Sequence, residues 1–273
     1  MFSWTQALVL ALIQGLSEFL PISSSAHLVL PSQLLGWQDQ GLLFDVAVHL
    51  GTLLAVVSYF WRDLISLVGD LFPSLRQSFA GFEGELWCIV IATLPATVVG
   101  FGFGGIIEQH SRTLVVIAFT TIVFGLLLGV ASWRNTLVYL TRADRSVVQR
   151  VHWRHALMIG VAQVFALIPG TSRSGVTITA GLLLGYTPAT AARFSFLMSV
   201  PVILGALVFL LFDALGDSAV SIEWGMMLGA VAVAGISAYL TIALFLGVVA
   251  RLGMMPFVWY RLILGSMLVL MIL

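Results

Sequence analysis

The sequence predicts an all-α integral membrane protein in which six transmembrane helices and two re-entrant helix pairs form an inverted-topology repeat. Three observations predict it. Of the 273 residues, 60% are hydrophobic and only 9% charged, with a mean hydropathy of +1.09; an ordinary soluble domain carries roughly a quarter charged residues. Six apolar runs are long enough to cross a bilayer, where water cannot satisfy the backbone and a span must be a helix of about 20 residues. Two further apolar stretches, 1–36 and 154–186, are interrupted in the middle by Pro, Ser and Gly. The cationic side chains are all Arg, twelve against twelve acids. No polybasic face exists to hold nucleic acid or an anionic surface, so no nucleic-acid partner is expected. The single Cys88 can form no intramolecular disulfide.

Taken in order, 1–36 reads as part of the fold rather than as a signal peptide, because no basic stretch leads it and Gln14 and Glu18 interrupt its apolar run. It breaks at L-P-I-S-S-S-A-H, from Leu20. Full spans follow at 43–61, 87–107 and 113–133. The second broken stretch, 154–186, is interrupted at I-P-G-T-S-R-S-G, from Ile168, and spans at 194–212, 224–247 and 254–272 complete the chain. Neither half of a broken stretch is comfortably long enough to span alone. Each reads as a helix pair that enters the membrane, turns at depth and returns. Trp61, Trp87, Trp133 and Trp224 fall at the ends of spans, and Trp4, Trp37 and Trp153 flank the broken stretches, where amphipathic rings seek the interface.

Charge asymmetry sets the topology. The loop 134–154 carries Arg134, Arg142, Arg145, Arg150 and Arg154 against one acid, Asp144, which places it in the cytoplasm. The loop 213–223 carries Asp213, Asp217 and Glu223 with no Arg and fits the outside. An odd number of crossings must separate the two, and the single span 194–212 supplies it if 154–186 re-enters. The same count puts 62–86 inside, 108–112 outside and both ends of the first hairpin outside, so the hairpins enter from opposite faces. One membrane domain, 1–273, then contains repeat 1 over about 1–110, the Arg-rich loop, and repeat 2 over about 154–273. Such a plan brings broken-helix tips together near the midplane. The site is expected where Ser24 meets Ser172.

The polar residues of those tips carry the chemistry. Gln14 and Glu18 are one turn apart on a common helix face, and Pro21 ends that helix. Ser23, Ser24 and Ser25 are N-cap candidates for a second helix that carries His27. An acid at membrane depth costs roughly 2.5–3.5 kcal/mol, so Glu18 needs a partner. Arg173, flanked by Thr171, Ser172 and Ser174, offers a planar fork of donors at the start of a helix, an arrangement suited to phosphate. The plainer alternatives are a Glu18 that only closes its turn and a structural Glu18–Arg173 pair. Asp45 and His49 read equally well as supporting groups or as an interfacial pair. His110, His152 and His155 read as solvated loop residues, Arg193, Arg251 and Arg261 as snorkelling cations, and Gly100, Gly102, Gly104 and Gly105 as close helix packing.

The two motifs, Q-G-L-S-E-F-L-P-I-S-S-S-A-H from Gln14 and P-G-T-S-R-S-G from Pro169, together with F-S-F-L-M-S-V-P from Phe194, resemble the bacterial undecaprenyl-pyrophosphate phosphatase family, tied to bacitracin resistance. The resemblance runs over essentially the whole chain. It implies an enzyme of the bacterial inner membrane, with its active site open to the outer face, that hydrolyses the C55 isoprenoid diphosphate to the monophosphate carrier of cell-wall synthesis. It also implies dependence on a divalent cation, Mg or Ca. The family's acidic motif falls on Gln14 and Glu18, its serine and histidine on Ser24 and His27, and its arginine on Arg173. Ser24 would be the nucleophile with His27 or Glu18 as base; a metal-activated water, with Glu18 and Gln14 as ligands, is the alternative. Ser23, Ser25, Thr171, Ser172 and Ser174 would join Arg173 in holding phosphate. Monomer and homodimer both stay open. The rival class is a transporter or flippase of a lipid-linked anion, because inverted repeats with broken helices also build transporters.

Overall fold

The computed structural model describes residues 3–37, 41–69, 84–111, 113–141, 150–216 and 223–273. The described residues are helical throughout, with no strand. Helix α1 (Trp4–Ser17) starts at a capping box, in which Ser3 and Gln6 exchange side-chain and backbone bonds. Residues 18–23 form the first tip, and α2 (Ser24–Leu35) leaves it to end at Gly36, whose φ of 63° suits a helix terminus. Helix α3 (Leu42–Tyr59) follows, then α4 (Trp61–Gly69), α5 (Glu85–Ser111) and α6 (Leu114–Thr141). The second broken stretch is α7 (Trp153–Gln163), a 3₁₀ turn (Val164–Leu167), a tip over 168–172, and α8 (Arg173–Leu183). Long helices α9 (Pro188–Gly216), α10 (Trp224–Leu252) and α11 (Met255–Ile272) close the chain.

Five of these helices are long and apolar enough to cross a membrane, or six if α3 and α4 count as one bent span. The chain is an all-α, multi-pass membrane protein. The expected span 43–61 is therefore shorter than read. It turns by 71° at Phe60 into α4, where Arg62 and Asp63 end the apolar run and make further straight insertion costly. Trp4, Trp61 and Trp224 are half or more exposed at helix ends, as interfacial rings should be, and Trp133 is as exposed but lies within α6, which runs on to Thr141. The Arg-rich loop, the acidic loop and the 62–86 connection fall in part outside the described residues, at 142–149, 217–222 and 70–83 respectively, and residues 134–141 continue α6.

The outer helix of each hairpin is seated by a glycine. A Cβ at Gly15 would lie 2.5 Å from the Ala234 carbonyl oxygen of α10, and one at Gly160 would lie 2.4 Å from the Ala92 carbonyl oxygen of α5. Only a hydrogen fits at such backbone contacts. The expected packing glycines Gly102, Gly104 and Gly105 have nothing within 4 Å of a Cβ, and Gly100 makes only an ordinary contact with Leu167 at 3.5 Å. That expectation is corrected. Helix α5 turns this stripe away from its neighbours, since Phe101, Phe103 and Ile106 are exposed beside it.

Two of the cations read as snorkelling are not. Arg193 on α9 pairs with Asp63 of α4 (Nε to Oδ1 3.1 Å) and Glu85 of α5 (Nη2 to Oε2 3.2 Å), joining three helices. Arg261 on α11 has no exposed surface at all. Arg251 is exposed. Of the histidines, His110 and His152 are exposed, as expected, and His155 is half-buried. His152 caps α7, His155 lies inside α7 with Nδ1 2.7 Å from the Tyr186 hydroxyl, and His110 ends α5 with Nδ1 2.8 Å from the Ile106 carbonyl oxygen. Cys88 is buried and donates to the Val151 carbonyl oxygen.

Candidate active site

Both tips use the same backbone device. Ser23 and Ser172 are the two non-glycine residues with positive φ among those described, at 74° and 70°. L-residues rarely occupy that region, and each serine repays the strain by capping the helix it starts: Ser23 Oγ accepts from the Ala26 N–H at 3.4 Å, and Ser172 Oγ from the Gly175 N–H at 3.1 Å. Each tip therefore carries a helix N-terminus with the first-turn N–H groups that its cap leaves unsatisfied.

The tips touch, but not through Ser24 and Ser172 as expected. Gly170 N–H donates to Ser25 Oγ at 3.3 Å, and Ser174 Oγ donates to the Leu20 carbonyl oxygen at 2.9 Å. Ser172 instead faces its own helix, 3.3 Å from Ser174 Oγ. Ser23, Ser172 and Ser174, all buried, are thus occupied in capping and bridging. Thr171 is completely buried with an Oγ1 that has no hydrogen-bond partner among the described residues.

At the junction sits a charged cluster. Arg173 Nη2 donates to Glu18 Oε1 at 3.0 Å, with the two side chains 11% and 9% exposed. Glu18 Oε2 accepts from Ser24 Oγ at 2.9 Å and from Gln14 Nε2 at 3.0 Å. Arg173 Nη1 reaches the Ser195 carbonyl oxygen of α9 at 3.3 Å, and its guanidinium carbon stands 5.9 Å from the Phe19 ring centre. Phe19 in turn packs edge-on to Phe196, 5.3 Å between centres, and that ring contacts Phe60 and Phe245. An aromatic floor under the pair excludes water and strengthens its electrostatics.

His27 is one helical turn from Ser24, yet both its ring nitrogens are engaged elsewhere. Nδ1 lies 2.6 Å from the Ser23 carbonyl oxygen and Nε2 lies 2.6 Å from the Tyr260 hydroxyl, against which the imidazole stacks at 5.6 Å and 13°. The group on the Ser24 hydroxyl is Glu18. His49, whose Nδ1 lies 2.7 Å from its own Asp45 carbonyl oxygen, sits within electrostatic reach of Glu18. Tyr260, Ser195 and Phe19 are not singled out in the sequence as site residues, and Arg261 reads there as a snorkelling cation. Phe19 and Ser195 lie inside the E-F-L-P and F-S-F-L-M-S-V-P stretches, and the adjacent Tyr-Arg pair inside an apolar run was a signal for Tyr260 and Arg261.

A matching family model, described as "Bacitracin resistance protein BacA", covers residues 7–267. The chain belongs to the BacA family. Three BacA relatives of nearly equal length, two named "Undecaprenyl-diphosphatase" and one "Undecaprenyl-diphosphatase 1", align over almost everything. The protein of Alcanivorax borkumensis is 54% identical over 263 residues, 96% of each chain. That of Chromohalobacter salexigens is 50% identical over 266 residues, 97% of each, and that of Pseudoalteromonas translucida is 48% identical over 262, 95% of each. The tips and their charged cluster lie within the span that the BacA model matches.

The donors beside Glu18 suit a divalent cation. Gln14 is fully buried and its Oε1 has no hydrogen-bond partner among the described residues. That oxygen and the Glu18 carboxylate are the hard donors that Mg or Ca prefers. No group of three or more His, Cys, Asp and Glu side chains gathers among the described residues, so further ligands would have to be water and phosphate oxygens, a common arrangement for Mg.

Proposed function

We propose that the protein hydrolyses undecaprenyl diphosphate to undecaprenyl phosphate and inorganic phosphate, regenerating a lipid carrier for cell-wall synthesis. The observation that carries this reading is the Arg173–Glu18–Ser24 cluster at the meeting of two helix N-termini, in a chain whose relatives bear a diphosphatase name. Phosphoryl transfer asks chiefly for positioning and charge neutralisation. The tips offer both.

In the proposed sequence, the terminal phosphate competes with Glu18 for the Arg173 fork and draws on the first-turn N–H groups of α2 and α8. Glu18, released from Arg173, accepts the Ser24 proton through the bond it already makes. Ser24 Oγ then attacks phosphorus in line, the bridging P–O bond breaks, and undecaprenyl phosphate leaves with that bond's electrons. Water hydrolyses the phosphoserine to phosphate. Glu18 and Gln14 would hold a divalent cation, which would neutralise charge on the diphosphate; attack by an activated water, leaving Ser24 as a positioning group, is the second reading, favoured by the unpartnered Gln14 Oε1. His27 and Ser25 complete the rim of the site.

The deciding assay is phosphate release from undecaprenyl diphosphate in detergent micelles, with and without chelator. Micelles have no second compartment, so an enzyme turns over and a pure flippase does not. A phosphoserine trapped on Ser24 supports the first route, whereas full turnover by Ser24→Ala eliminates it. We further propose that the two hairpins re-enter from opposite faces of the bacterial inner membrane, as halves of an inverted repeat, with the site open to the outer face. Cysteine at position 144 should then label only from the cytoplasm, and cysteine at position 217 only from outside. Labelling of both from one side overturns that orientation.

A further inference from the structure

We propose that Arg261 is the positioning residue of this active site: one buried guanidinium that fastens both hairpin tips to α11 and α6 and so fixes where Arg173 and Ser24 stand. Its donors reach five backbone carbonyl oxygens. Nη1 bonds Pro21 O of the first tip at 3.3 Å and Thr171 O of the second at 3.0 Å. Nη2 bonds Gly170 O of the second tip at 2.9 Å and Thr120 O of α6 at 3.4 Å, and Nε bonds Thr121 O of α6 at 3.2 Å. The side chain is 0% exposed, and none of these five partners is a carboxylate.

An Arg at that depth is expensive and is kept only where its donors are all used. Here they are used at the one place where the backbone needs restraint. Strained φ/ψ persists only where surrounding structure over-determines it, and Ser23 and Ser172 are the strained residues. The carbonyl of Thr171 belongs to the peptide plane immediately before Ser172, so holding that oxygen sets the φ of Ser172 and with it the direction in which Arg173 leaves. The carbonyl of Pro21 belongs to the plane two residues before Ser23, on the segment linking Glu18 to Ser24. Thr120 and Thr121 tie the same guanidinium to α6, and Thr120 Oγ1 also donates to the Pro169 carbonyl oxygen at 2.7 Å. Lysine could not reproduce this planar, multi-pronged arrangement. Reacting groups displaced by about 1 Å lose on the order of a hundredfold in rate.

The proposal rests on the phosphatase reading, and one assay separates the two. Phosphate release by the parental protein in micelles is measured first; its absence sinks the activity and not the clamp. With the parent active, Arg261→Lys should stay monodisperse while kcat falls at least tenfold and KM stays within about threefold, because the clamp orients groups and touches no substrate. Arg261→Ala should lose more and regain part of its kcat with millimolar methylguanidinium but not methylammonium. Where the lysine variant yields no folded protein, Gly175→Ala decides, since its Cβ would stand 3.1 Å from Arg261 Nη1 and equally close to the Cβ and Oγ of Ser172, the strained residue beside the clamped Thr171 carbonyl, and so disturb the clamp at the second tip without removing its charge; the same kcat loss at steady KM is expected. Parental kcat in Arg261→Lys or, failing folding, in Gly175→Ala, or a loss carried by KM alone, overturns the proposal.

Discussion

The first tip and the second share a backbone and differ in chemistry. In each, a buried glutamine stands nine residues before a serine of positive φ that caps the next helix: Gln14 before Ser23, Gln163 before Ser172. Four residues after those glutamines stand Glu18 in one and Leu167 in the other, and directly after the strained serines stand Ser24 and Arg173. The same fold is thus used twice, once to deliver a carboxylate and a hydroxyl and once to deliver a guanidinium. A site for a multiply charged anion needs both, and neither tip is complete alone.

The comparison is broken most severely at the cross-tip pair. Arg173→Ala should abolish phosphate release, with the protein still inserted, because it removes the phosphate fork and leaves Glu18 buried and unpaired, a loss of about 3–5 kcal/mol where pairs are buried. Near-normal turnover would reduce the pair to a structural tie. Glu18→Gln should be nearly as damaging, measured as kcat, whereas Gln14→Glu should be tolerated.

The glutamines sharpen the comparison. Gln14 Nε2 bonds Glu18, while Gln163 Nε2 reaches only the Ala92 carbonyl oxygen at 3.5 Å. Gln14→Leu should therefore cost roughly tenfold in kcat, the scale of one polar contact of about 1.4 kcal/mol, and Gln163→Leu should leave kcat within about twofold. Equal losses would mean that both glutamines serve packing alone. The smallest effects are on stability. Gly160→Ala should lower the thermal midpoint, overpacking costing about 1–3 kcal/mol, while Gly102→Ala, with open space around it, should not move it.

Much of this was legible in the residues because a bilayer leaves few choices. Apolar run length located the helices, and Pro21, Pro169 and the serines marked both breaks. The pairing of Glu18 with Arg173 was one of the alternatives the sequence left open, since either charge alone is costly at membrane depth. Other features were hidden for one reason: lipid and protein interior are equally apolar, so a sequence cannot say which a residue faces. Gly102 and Gly104 look like Gly15 and Gly160 in the chain, and only the neighbours differ. Arg261, near the start of α11, reads as a cation reaching for the interface, since nothing local announces that carbonyls 90 to 240 residues away will surround it. Arg193 is the same case, with partners 130 and 108 residues distant.

The shared fastening at Arg261 also bears on movement. A carrier exposes its cargo first to one compartment and then to the other by swinging one half against its mate. Here such a swing would have to pull Pro21 away from Gly170 and Thr171, breaking up the carbonyl set around a desolvated cation in the middle of the stroke. A catalyst that admits its headgroup from one leaflet and never rocks has no such obstacle.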